Sequence, residues 1–306
     1  MEQIIQNAFM SIFKNTMGIP LIITNVGINV WNTLIKIAFG YLEETPTSFA
    51  NSAPYDFING INTFFVAVAS PLTLLFFLWG FFNESVNIRE EMTTFNIIKM
   101  LVRLLVANYF VVHSITLLNA FISLFTGLNS KVIDFGTNGG FVIFEQYKLS
   151  NNVEFEVTDL FAGNIFTLIF SVAIFVVLVV CGVIIIYTVY SRYLMILFKM
   201  PFSCIAFSSL SAANHEFNGM AINYIKDFLA TVAELVAIVI AIRLVGFVAN
   251  NTMNTLITDL INGFTVDGSI SGLTDYICTM IIYCLMASLT IGMAKGASAV
   301  TSKVFS

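Results

Sequence analysis

Four long apolar runs without a formal charge decide what this chain can fold into. Residues 57–83 and 160–191 carry no Asp, Glu, Lys or Arg, 104–130 carries only the ionisable His113, and 276–294 is shorter but as clean. A crossing of the hydrocarbon takes about 20 such residues. Lipid offers no water to unpaired backbone groups, so the crossing segments must be helical. A fifth run, 228 to about 249, is long enough but holds Glu234 and Arg243. Only 10% of the 306 residues are charged and 58% are hydrophobic, against roughly 25% charged in soluble domains. The expected fold is therefore all-α: a multi-pass transmembrane helical bundle of about five spans, with N-terminal amphipathic helices and one interfacial or re-entrant segment.

That segment is 193–213, which Lys199 and Pro201 divide into pieces too short to cross. If it stays on one side, the loops sort by charge as cytoplasmic loops rich in Lys and Arg require. Arg89, Lys99, Arg103, Arg192, Lys199, Lys226, Lys295 and Lys303 fall inside, and only Lys14, Lys36, Lys131 and Lys148 outside. Residues 250–275 have no base and three aspartates, Asp259, Asp267 and Asp275. The expected placement is in the cell (cytoplasmic) membrane with the N-terminus outside and the C-terminus in the cytoplasm. The organisation read from this is an external amphipathic N-terminal region over 1–56, spans one and two over 57–127, and a central external loop over 128–159. Spans three to five occupy 160–306, with a cytoplasmic interfacial segment at 192–227. Ile4, Ile5, Ala8, Phe9, Ile12 and Phe13 form one apolar stripe of a helix lying on the membrane. Residues 20–40 are apolar but interrupted by Asn25, Asn29 and Asn32, so they are placed outside. Counting them as a further span would move the N-terminus inside.

No phosphate loop, nucleophile elbow or zinc-protease motif is present, so no enzyme, catalytic residue, metal or cofactor is expected. A formal net charge of -5 without a Lys/Arg cluster argues against tight nucleic-acid binding. The four cysteines lie in or beside apolar segments, as buried thiols do. Glu234 shares a helical face with Ala230, Ala237 and Ala241, a small-residue face suited to helix packing. Two readings stand side by side: a pathway carboxylate, or one satisfied by a neighbouring helix. Arg243 lies on the opposite face of that helix and is expected to reach outward. Asn108, Asn119 and Thr126 align on one seam of span two, with Ser123 nearby; helix adhesion and a hydrated path both fit. His113 is a further polar candidate in the same span. Ser288, Gly292 and Gly296 form a small ridge on span five, expected to pack tightly within the chain or between copies.

Residues 190–244 read YSRYLMILFKMPFSCIAFSSLSAANHEFNGMAINYIKDFLATVAELVAIVIAIRL. An Arg-bearing apolar stretch, a proline, a small polar segment, a glycine and an aromatic-Ile-Lys helix start resemble the polytopic membrane channel subunit of bacterial type IV secretion and conjugation systems, the TrbL/VirB-type family. The positions matching its pattern are Arg192, Pro201, Gly219, Tyr224 and Lys226; the family's usual tryptophan in the helix entering span four is replaced by Tyr224. The resemblance implies a structural or channel role in DNA or protein transfer. It also implies a homo-oligomer in membrane lipid, with a surface or pilus-type subunit, an ATPase and a coupling protein as partners, and with the transferred DNA or protein bound only transiently. Two other functions compete. One is a small secondary transporter using Glu234, His113 and the broken segment at 193–213; the other is a membrane scaffold or pore of the sporulation or lysis type.

Overall fold

The structure is a computed structural model that describes residues 2–86, 94–134, 141–148, 160–212, 215–264 and 272–305. Every regular element among them is helical: α1 (Glu2–Glu43), α2 (Ala53–Val86), α3 (Thr94–Val112), α4 (Ser114–Asp134), α5 (Leu160–Lys199), the short α6 (Ser203–Ser208), α7 (His215–Phe264) and α8 (Gly272–Phe305). Short 3-10 turns occupy Phe49–Ser52, Met200–Phe202 and Ser209–Ser211. At 1.5 Å per residue, the 40 residues of α5 extend about 60 Å, twice the hydrocarbon thickness. Helix ends therefore do not mark span ends.

Five helical segments are long and apolar enough to cross a membrane: Ile19–Glu43, Phe49–Asn83, Phe166–Ser211, Gly219–Gly263 and Thr274–Phe305. The number matches the sequence expectation, but the membership differs. Ile19–Glu43 joins the set, as the continuation of a helix unbroken from Glu2, so 1–56 is not only a surface-lying region. The side chains of the Ile4–Phe13 stripe lie outside the described residues. Span two is not one straight helix: Ile97–Val112 and Ser114–Asp134 meet at His113 with a bend of 66°. The cause lies in packing, since α6 sits against both α3 and α4 and the buried Ser114 hydroxyl meets the Cys204 thiol at 2.9 Å.

The chain forms two compact units. The first comprises 1–40, 135–188 and 238–295. In it α1 and α5 approach so closely that a Cβ on Gly27 would stand 3.1 Å from the Phe175 Cα, and one on Gly182 would stand 2.7 Å from the Leu34 Cδ1. Both contacts carry an offset of 148, so the two helices run parallel. Residues 141–148 form an irregular strap docked on α1 and α8, with Val142, Phe144 and Tyr147 buried. Phe144 stacks between Trp31 and Tyr283, with ring centroids 5.6 and 4.4 Å away. Only part of the expected external loop is thus described, and that part is packed into the protein.

The second unit comprises 41–134, 189–237 and 296–306. Its centre is the broken segment 200–212, packed against α2 and α3. Met200, Pro201, Ser203, Cys204, Phe207, Ser208, Ser209 and Ser211 are buried there. Within the expected interfacial or re-entrant segment, 200–212 is covered by protein. The buried hydroxyls explain why an irregular segment is tolerated, since Ser203, Ser208, Ser209 and Ser211 bond carbonyls one turn back and Ser211 also reaches the Thr73 carbonyl at 2.7 Å. Around this centre α2 and α3 turn Phe64, Val68, Leu75, Trp79, Leu101 and Leu105 outward, the exposed apolar surface of a membrane-facing helix.

Between α1 and α2, Ala50, Asn51 and Ser52 all have positive φ, at 53°, 58° and 58°. Left-handed backbone costs an L-residue about 1–2 kcal/mol. Phe49, 2% exposed, secures the turn by stacking on Tyr193 at 4.7 Å with Tyr41 and Tyr190 edge-on. The Tyr193 hydroxyl in turn donates to the carbonyls of Tyr41 and Glu44 at the end of α1. A branched side chain at such a φ adds strain. Ala50→Val is therefore expected to lower unfolding stability in detergent by about 1 kcal/mol, whereas Ala50→Gly should leave it level or slightly higher. Equal losses in both variants would show that the left-handed turn is not the native one.

Candidate functional site

The polar side chains of the second unit converge where α5 and α7 pack. Arg192 Nε lies 2.9 Å from Glu234 Oε1, and Lys199 Nζ lies 2.6 Å from Asp227 Oδ2. Both helices place their charges seven residues apart, which is two turns on one face. As the α5 partner advances by seven the α7 partner falls by seven, so the helices run antiparallel with both ion pairs in one register. Lys199 also donates to Thr231 at 2.6 Å, and the Tyr224 hydroxyl caps the Lys199 carbonyl at 2.5 Å. Pro201, two residues on, cannot continue the helix.

The two pairs differ in surroundings. The Glu234 side chain is 6% exposed and that of Arg192 25%, whereas the Asp227 side chain is 63% exposed. The Arg192 Nε–H is not aimed at Oε1 well enough for a regular hydrogen bond, so their contact is one of charges at close range. A carboxylate held this way ties α7 to α5. Beside the outer pair, a cavity of about 270 Å³ is lined by Asn223, Lys226, Asp227, Ala230, Ser302 and Phe305.

The other candidates fall as follows. Arg243 does not reach outward: it is 8% exposed, with its guanidinium 5.2 Å from the centroid of the Phe39 ring in the first unit. A cation over an aromatic face is favourable once desolvated, and this contact helps to accommodate the charge. The seam of Asn108, Asn119 and Thr126 is broken with the helix, because a constant increment of 100° holds only along one axis. Asn108 is exposed on α3, Asn119 on α4 donates to the Tyr55 hydroxyl at 2.7 Å, and Thr126 bonds its own helix at the Ile122 carbonyl. His113 is exposed at the bend against the Tyr109 ring. Ala237 is half-buried and Ala241 buried, whereas Ser288, Gly292 and Gly296 are all exposed, so that ridge is left uncovered among the described residues. Gly219 is half-buried and Lys226 exposed. His215 lies outside the described side chains. Among the described residues no three His, Cys, Asp or Glu side chains gather as a metal site.

The strap was missed because its partners are distant in sequence. Asn25, Asn29 and Asn32 counted against a membrane span, yet each is paired: with Tyr147, Gln146 and Phe144 respectively. Tyr147 also donates to Asp275 at 2.6 Å. Burial first, and that carboxylate second, hold its phenol far above the usual range, so it stays a donor.

Helices of this length and apolarity, with their inward charges paired, define a multi-pass helical membrane protein. No protein-family model, curated protein or solved structure matches the chain.

Proposed function

We propose that the chain is a structural or channel subunit of a type IV secretion apparatus, working in conjugative transfer of DNA or protein across the cell membrane. The observation that carries this reading is that three positions of the resemblance share one framework. Arg192 pairs with Glu234, Tyr224 caps the end of α5, and Pro201 turns the chain into the buried segment after it. A translocation subunit needs such a rigid hairpin. The transporter alternative loses support because Arg192 occupies its carboxylate. The outward ridge of Ser288, Gly292 and Gly296 supports close packing between copies in an oligomer. Surface or pilus-type, ATPase and coupling subunits follow as partners from the resemblance alone.

Loop charge and helix direction support one orientation. The basic loops, Arg192 and Lys199 among them, stay cytoplasmic. Because α1 runs parallel to α5 and its end at Tyr41 and Glu44 meets Tyr193, a crossing by Ile19–Glu43 ends on the cytoplasmic side and starts from an outside N-terminus. A cysteine at Ser11, in a background with Cys284→Ser, should react with an impermeant maleimide on intact cells. Labelling only after cells are opened would place the N-terminus inside.

The function is tested by deleting the chain's gene in its host and purifying the chain. Loss of conjugative transfer or secretion, with isolation as a multi-copy assembly carrying an ATPase, is expected. A monomer or dimer that moves a small solute in vesicles, with uptake abolished by Glu234→Gln, would overturn the proposal.

A further inference from the structure

Each of two asparagines on α1 pairs with both main-chain groups of one strap residue. Asn32 donates to the Phe144 carbonyl at 2.8 Å and accepts from the Phe144 N–H at 3.0 Å. Asn25 does the same with Tyr147, at 3.2 and 3.0 Å. A carboxamide used this way imitates a neighbouring strand, offering one donor and one acceptor to one residue. Between them Asn29 accepts from Gln146, and the Trp31 indole donates to the Val142 carbonyl at 3.0 Å.

The spacing makes α1 a ruler. Asn25 and Asn32 are seven residues apart, about 10.5 Å along a helix. Phe144 and Tyr147 are three apart, about 10 Å in an extended chain but only about 4.5 Å in a helix. Only an extended segment fits both amides at once. Side chains add a second condition: Phe144 enters the slot between Trp31 and Tyr283, and Tyr147 lies edge-on to Tyr276 with its hydroxyl on Asp275. Ile143, Glu145, Gln146 and Lys148 are exposed, so four of the seven residues from Val142 to Lys148 contribute little buried surface. What the face reads is an extended backbone with an aromatic residue and, three further on, a tyrosine.

We propose that the face formed by Asn25, Asn29, Trp31 and Asn32 on α1 with Tyr276 and Tyr283 on α8 is a peptide-binding site, occupied in cis by the strap, that takes an extended segment of a partner protein with the same aromatic-x-x-tyrosine spacing. Recognition through the main chain and two anchors is independent of most of the occupant's sequence, as in other sites that bind peptides in extended form. The chain's own strap sets the threshold, since an intramolecular occupant competes at high effective concentration. The site lies in the first unit and does not depend on the secretion reading.

The experiment uses the full chain in detergent and a fluorescent peptide of residues 142–148. Wild type is expected to bind it at least tenfold more weakly than Phe144→Ser/Tyr147→Ser, in which the strap has lost both anchors. Adding Asn25→Ala/Asn32→Ala to that variant should abolish binding, and so should a peptide with serine for phenylalanine. Tyr147→Phe keeps the ring and removes only the bond to Asp275, so its affinity should fall between wild type and the double variant; it also serves if the double variant does not fold. Failure of every folded variant to take up peptide, or uptake indifferent to the asparagines, refutes the site and leaves the proposed function where it was.

Discussion

Arg192→Ala is expected to destabilise the folded chain by about 3 kcal/mol, more than Glu234→Ala, and the double variant should lose much less than the sum. Removing one partner of a buried ion pair costs about 3–5 kcal/mol because a charge is left without compensation. Glu234, with its side chain 6% exposed, cannot recover water when Arg192 is gone. Arg192 is a quarter exposed and can, so Glu234→Ala should lie lower, at about 2 kcal/mol by the same reasoning. Removing both leaves no orphaned charge, and the cycle isolates their coupling. The outer pair is the internal control: with Asp227 mostly exposed, Asp227→Asn should change stability by less than about 1 kcal/mol. Reversible unfolding in a single detergent measures all four variants. Additive losses at 192 and 234 would mean that the 2.9 Å contact does not hold the helices together.

The charges of this pair were visible in the sequence; their pairing was not. Glu234 calls for a partner, and on its own helix Arg243 stands on the far face. The information was present in a different form, since 192 and 199 carry bases and 227 and 234 carry acids at equal spacing. Using it requires knowing that α5 and α7 are antiparallel neighbours. The apolar runs needed no such knowledge, because composition alone makes a segment fit for lipid. The break at His113 was hidden for the opposite reason. Nothing local marks it, and its cause, the contact of Ser114 with Cys204, spans 90 residues. Asn25 and Asn32 misled outright: amides weaken a span only while unpaired, and theirs are met by a strap more than 110 residues away. The ridge on α8 was legible as small residues, but smallness permits close approach without saying to what.

Gly27→Leu is expected to cost about 3 kcal/mol, at the upper end of overpacking, and the reason separates it from Gly182. Replacing a helical glycine by alanine or leucine normally gains about 1 kcal/mol in helix propensity, so the clash must exceed that gain before any loss appears. At Gly127, where nothing lies within 4 Å of an added Cβ, the gain should stand alone and Gly127→Ala should stabilise. At Gly182 the nearest atom is the end of the Leu34 side chain, with the Leu34 Cβ at 3.1 Å. Gly182→Leu should therefore destabilise, and Leu34→Ala should restore most of the loss by opening the facing position. At Gly27 the nearest atom is the Phe175 Cα, which no substitution removes. Phe175→Ala should relieve Gly27→Leu only in part, because the two backbones must still separate. The asymmetry between the two rescues, measured as unfolding stability in detergent, tests the parallel packing of α1 on α5 directly. If both rescues were equally complete, side chains and not backbones would set the distance between these helices.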